Sequence, residues 1–399
     1  MQLMLRTLTP LWTGGIDAGQ ADRIHETGLI GSLRWWYEAI LRGCGVQVCD
    51  PTTHNCTGCP VCQTYGMTGQ RRQWRFTVQG NYKHSFVGDP LLLPSGRIHR
   101  QTVRGQQRTR AGGWFVGNGF VGDIALQSIP LRANATSNVW ELPLYLAACW
   151  GSIGPKTQIG YGVAQVLDEN SRPTIPNIDS LLQNLPADHH KANDFPDLRH
   201  IFFSKLHFTT TSSAWWRQVK LIDIALTGQV KDAQGTVQLQ NVSTELNTLA
   251  SLNFAPVAPA FRNWLRYGRT ITLRNGQQRQ VSLLNGFIRG QERDAESDIF
   301  GTLQPDRRRS RLNISFAYLL PTDTWEIRVW GWIPESKNYN RDQVLASLKT
   351  LLQTSANWTP LLGSAVSNAG LSVWREFDSA RDTVQRCNTM NVYLRSLLS

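Results

Sequence analysis

Four thiols crowd into one short stretch, CDPTTHNCTGCPVCQTYG, at Cys49, Cys56, Cys59 and Cys62. The segment Val46 to Tyr65 has little apolar content, so core burial cannot order it. The C-x2-C-x2-C spacing brings three thiolates within reach of one ion, and Cys49 or His54 can complete a tetrahedron. A closed ligand set of this kind predicts a structural Zn2+ site over about residues 44–66, in which the metal supplies the order that a core cannot. A redox CPVC pair needs no third cysteine upstream, and an iron–sulfur cluster shares the spacing. The full count of seven cysteines is odd and clustered, unlike a disulfide framework. Cys44, Cys149 and Cys387 are expected to be ordinary buried thiols.

A chain of 399 residues exceeds one small core and predicts two domains. Charged residues at 18% and hydrophobic residues at 41% describe a folded protein. MQLMLRTLTPLW suits a strand and not a signal segment, and no apolar run is long enough for a membrane span. A cytosolic location is expected. Strand-like stretches cover Leu3–Trp12, Gln73–Val78, Phe120–Leu131 and Gly160–Leu167, with a helix expected near Leu142–Trp150. Residues 171–199, rich in Pro, Asn and Asp, are expected to link two halves, 1–170 and 200–399. The second half starts with HIFFSKLHFTT and closes with NISFAYLL, TWEIRVWGWIP, the helix DQVLASLKTLLQ and LSVWREF. Strands with a few helices and no Rossmann beat predict an α+β protein of two ferredoxin-like (RRM-like) sandwiches.

Basic charge is concentrated. Lys and Arg number 41 against 29 Asp and Glu, a formal charge of +12 that favours polyanion partners. RIHRQTVRGQQRTRAGG, residues 97–113, carries Arg97, Arg100, Arg104, Arg108 and Arg110 without one carboxylate. Its composition predicts a mobile basic loop. A second cluster, Arg307, Arg308, Arg309 and Arg311, precedes the apolar run at Leu312. Guanidinium forks suit phosphate and stack on bases, so both clusters are candidate nucleic-acid contacts.

HETGLIGSLRWW, from His25 to Trp36, opens like a zinc-protease helix, but Leu29 stands where the second histidine ligand is required. Gly28 and Gly31 place the helix start near Gly31–Ser32. From there Leu33, Trp36, Tyr37, Ile40 and Leu41 make a core-facing stripe. Arg34, Glu38 and Arg42 share the opposite, solvated face. Arg34 either pairs with Glu38 at i,i+4 or, with the glycine-rich turn, meets a phosphate. Trp35, on the flank, suits either core or stacking.

Two phosphate-loop lookalikes fail. GNGFVG (117–122) precedes a strand instead of a helix, and GSIGPKT (151–157) has Pro155 where a nucleotide-binding loop needs glycine. The latter still forms a flexible, backbone-exposing turn around Lys156, Thr157 and Gln158.

In sequence order, TPLWTGG, RIHETGLIGSLRWWYEAILRG, CDPT with CPVCQTYG, GPKTQIGYG, RRRSRLNISFAYLL, TWEIRVWGWIP and SARDTVQRCNTMNVYLRSLL resemble the RAMP superfamily of CRISPR-associated proteins. The likeness is to the first subunit of the type III-B (Cmr) effector complex. It implies two ferredoxin-like RAMP domains, the second with a helical insertion at about 240–268. It implies a non-catalytic subunit that caps a crRNA-guided ribonucleoprotein near the guide 3′ region. Its partners would be crRNA, target RNA and the other subunits of the type III effector complex, in antiviral defence. The glycine loop then makes Lys156 and Gln158 expected RNA contacts, beside His25, Arg34 and the arginine clusters. The alternative is an RNA endonuclease: backbone subunits of related complexes cleave through an aspartate after the first strand, and this chain has Asp17 and Asp22 there.

Overall fold

The structure is a computed structural model that describes residues 2–15, 21–50, 56, 58–103, 106–132, 139–168, 170–174, 177–183, 185, 195–232, 235–272, 275–302 and 307–399. The first half runs β1 (Gln2–Thr7), α1 (Glu26–Gly43), α2 (Pro60–Tyr65), β2 (Trp74–His84), β3 (Leu91–Val103), β4 (Gln106–Val116), β5 (Phe120–Pro130), α3 (Glu141–Trp150) and β6 (Ala164–Leu167). Its sheet has the order β2-β5-β1-β6, with every neighbouring pair antiparallel. That order interleaves two β-α-β units, each helix returning the chain across the sheet. Leu3 and Leu5 alternate inward on β1, and Ile124 and Leu126 face the same core from β5.

The second half starts at β7 (Ile201–Thr210), followed by a small ribbon of β8 (Gln229–Asp232) and β9 (Gly235–Gln238). Helices Ser243–Ser251 and Ala258–Tyr267 fall in the region expected to be a helical insertion. The short strand β10 (Phe254–Ala255) separates them, and a ribbon of β11 (Arg269–Thr272) and β12 (Gln278–Val281) follows. After helix Glu292–Phe300 come β13 (Leu312–Ile314), β14 (Ala317–Leu319), β15 (Trp325–Trp332), helix Arg341–Gln353 and β16 (Val366–Glu376). The sheet order is β10-β14-β15-β7-β16, with β13 also on β15. In each half the first strand of the sheet lies between the last two, β1 between β5 and β6 and β7 between β15 and β16. This placement is used twice, although no repeat shows in the sequence.

Three local expectations are corrected. Helix α1 begins at Glu26, not near Gly31–Ser32. Its first turn packs so closely on the preceding loop that a Cβ at Gly28 would lie 3.0 Å from the Thr13 carbonyl oxygen. Tertiary packing outweighs the low helix propensity of glycine. The face carrying Glu38 and Arg42 is buried, not solvated, because the cysteine loop covers it: Arg42 Nη2 donates to the Cys49 carbonyl at 3.1 Å. Residues 97–103 and 106–113 are not loop but parts of the two strands of an antiparallel ribbon, β3–β4, with His99 opposite Arg110 and Gln101 opposite Arg108. Leu91, Leu93 and Val116 anchor its base in the core. Its outer part buries neither face, so it lacks the alternation that marks a half-buried strand.

The halves close on aromatic side chains. Trp36 is buried against Phe203 and Trp330, with ring centroids 6.1 and 4.9 Å away, and its indole donates to the Ser152 carbonyl at 3.1 Å. From β15, the buried Arg328 donates to the carbonyls of Ala148 and Gly151 at 2.5 and 3.3 Å. Among the described residues, no helix is long and apolar enough to cross a membrane.

Candidate nucleic-acid interface and metal centre

A cleft of about 590 Å3 opens where the two halves meet. One wall is the start of α1, with Gly28, Gly31, Ser32, Trp35 and Trp36; a second is the glycine loop at Ser152, Gly154, Pro155 and Thr157. The third comes from the second half: Arg308, Arg309, Ser310 and Arg311, with Trp330 and Trp332 behind them. Two segments more than 270 positions apart in the chain thus share one site. Arg309 is exposed and donates to Thr157 Oγ1 at 3.2 Å, while Thr157 donates to Asn313 Oδ1 at 2.7 Å. Arg308 pairs with Asp298 at 2.8 Å, and its side chain stays 51% exposed. Arg311 lies over the Trp332 ring at 4.7 Å and donates to the Tyr339 hydroxyl. Among the described lining residues, three arginines face a single carboxylate, Asp298, so the wall is net basic. Arg307 is exposed but does not line the cleft.

Lys156 turns away from this space. It adopts a left-handed backbone, φ 62°, and stacks its ammonium on Trp12 at 3.2 Å. Burial pushes its pKa down to about 8. Gln158 is half-buried, and its Oε1 is buried without a hydrogen-bond partner. Neither of these two expected contacts lines the cleft.

On the β3–β4 ribbon, Arg100, Arg108 and Arg110 are exposed. Arg97 is held down, stacked 3.9 Å over Tyr267 and donating to Gln280 Oε1 at 2.8 Å. Arg104 lies outside the described residues, as do Asp17 and His54. His25 caps α1 through its backbone, and its Nε2 pairs with the exposed Asp22 at 2.8 Å. That hydrogen bond holds the Asp22 carboxyl below its usual range.

Cys49, Cys56, Cys59 and Cys62 form a cluster that could hold a metal ion. Their sulfur atoms all lie within 4.8 Å of one another, with Cys49 3.4 Å from Cys62 and 3.5 Å from Cys59. Four thiolates at about 2.3 Å from one ion stand roughly 3.8 Å apart, so the set fits a tetrahedral metal. The amides of Cys59 and Gly58 point at Cys56 Sγ, at 3.2 and 3.3 Å, and hold that thiol well below its ordinary pKa. Burial pushes Cys62 up to about 11, so a bound cation would supply the charge that keeps it ionised. Arg34 belongs to this centre and not to the cleft. Its three nitrogens donate to Glu38 Oε1 at 2.9 Å, the Gly66 carbonyl at 2.8 Å and Cys62 Sγ at 3.3 Å.

Sequence reasoning missed Ser152, Asn313, Trp330 and Trp332. The even spacing of tryptophans in TWEIRVWGWIP places Trp330 and Trp332 on one face of β15, a signal that was available. What that face meets depends on how the halves dock.

Fold and site together define an α+β protein with paired antiparallel sheets, a basic aromatic cleft and a tetrathiol centre. Residues 4–165 match the family model of the RAMP superfamily. Among solved structures, it is similar to the apo form of Cmr1 from Pyrococcus furiosus, with a TM-score of 0.36 and 11% identity. That match covers 86% of this chain and 92% of the other. No curated protein matches the sequence.

Proposed function

We propose that this chain is an RNA-binding, non-catalytic subunit of a crRNA-guided type III CRISPR effector complex. In this reading it is built from two ferredoxin-like RAMP domains with a structural zinc in the cysteine loop. The observation that carries it is the cleft, where the start of α1, the glycine loop and the arginine segment converge. The RAMP match over 4–165 supports it, and so does the placement, in each half, of the first strand between the last two. The exposed arginines of the β3–β4 ribbon add a phosphate-binding surface without base readout. Placement at the capping end, near the guide 3′ region, follows from the sequence resemblance.

The alternative, cleavage of target RNA, draws on the Asp22–His25 pair, a carboxylate beside an imidazole on the loop before α1. One experiment tests both readings. The chain is purified from cells with its associated complex, and the bound RNA is sequenced; guide-length CRISPR RNA is expected. Affinity should fall steeply with salt, and alanines at Arg97, Arg100, Arg104 and Arg108 should flatten that dependence by about 0.7 in log–log slope per lost phosphate contact. Salt-independent association, or no RNA, overturns the proposal. Target RNA cut by the wild-type complex but not by Asp17→Ala or Asp22→Ala would favour the nuclease.

A further inference from the structure

Resting on that RNA-binding reading, we infer that the interdomain cleft takes unpaired RNA, one or two nucleotides. A base would lie against Trp35 and Trp332, with its phosphate at Arg308 and Arg309. Three observations lead there. The volume of about 590 Å3 falls in the range of about 300–1,000 Å3 typical of sites that enclose small ligands, not of an open groove for a duplex. Indole rings dominate the walls: Trp35 is half-buried, and Trp330 braces it with centroids 5.9 Å apart. Arg311 covers the Trp332 ring at 4.7 Å and so fixes its plane. A free base has a face to offer such rings, whereas paired bases have theirs stacked inside the helix.

The polar groups of the cleft complete the case. Ser152 is only 4% exposed, lines the cleft, and its Oγ has no hydrogen-bond partner. The Trp332 Nε1 is likewise buried without one. Buried donors left unpaired carry a cost that a polar ligand removes. The one carboxylate among the described lining residues is already engaged, accepting from Arg308 at 2.8 Å and from Asn338 Nδ2 at 2.7 Å. Arg308 and Arg309 remain exposed at the mouth, where a phosphate enters. An acidic peptide would satisfy the arginines but would leave the indole faces without a planar partner.

The test uses the full chain with a short oligoribonucleotide carrying 4-thiouridine, free or annealed to its complement. Single strands are expected to bind at least about tenfold more tightly than the duplex, and photocrosslinks should map to Trp35, Trp332 or residues 308–313. Trp332→Ala should weaken single-strand binding roughly 5- to 100-fold, the range for losing one stacked base, while Trp332→Phe keeps most of it. Arg309→Gln should reduce the salt slope by about 0.7. Because the crosslink is read on the unaltered protein, misfolding of a variant cannot mask the result. Equal affinity for duplex, or crosslinks confined to the β3–β4 ribbon with Trp332→Ala silent, overturns the cleft inference and leaves the RNA-binding reading standing. Failure to bind either RNA overturns both.

Discussion

Burial pushes the Lys156 pKa down to about 8, while the Trp12 face 3.2 Å away favours the charged form. Below pH 8 the ammonium is charged in both folded and unfolded chains, and the burial penalty is fully present. Between about 8 and the unfolded value of 10.5, the unfolded chain holds more protons, so this residue makes stability rise with pH. Lys156→Met should therefore be more stable than wild type at pH 7, with the gap closing toward pH 10. Urea midpoints across that range check it; a pH-independent gap would contradict the burial account. The sequence marks Lys156 as the cation of a glycine loop, but its direction is set by the Trp12 ring from another segment. Arg34 makes the same point. Its pairing with Glu38 was one of two readings open in the sequence, and its contact with Cys62 was visible in neither.

At the scale of elements, the cysteine loop was the most legible feature. Covalent spacing alone brings Cys56, Cys59 and Cys62 together, and the structure adds Cys49 to the set. Elemental analysis should find one zinc per wild-type chain and little in Cys59→Ser, whose melting temperature should drop; a metal-free, fully stable wild type would refute the site. Arg34 and Arg42 tie this loop to α1, so metal loss should also loosen a wall of the cleft. Helix α3 and strands β7, β15 and β16 lie on apolar stretches of the sequence and were expected near their observed positions. The β3–β4 ribbon was not, because a ribbon exposed on both faces leaves no alternation to read.

For the whole molecule, the decisive surface is the one between halves. Gly160 has φ +114°, and a Cβ there would come within 2.1 Å of Phe316, whose own amide donates to the Gly160 carbonyl at 3.1 Å. Gly160→Ala should therefore destabilise the protein by about 1–3 kcal/mol through overpacking, with backbone strain in addition. Denaturant unfolding measures it, and a neutral substitution would mean that the halves are not clamped at this point. The sequence by itself determined the α+β class, three of the four candidate metal ligands, the two arginine clusters and the buried stripe of α1, because each rests on local spacing or composition. Only the tertiary structure decided that each half sets its first strand between its last two, that Arg34 serves the thiols, and that Trp35, Ser152, Arg309 and Trp332 line one cleft. Contacts between segments hundreds of residues apart arise from how the two sheets and their helices dock, and no local period encodes that docking.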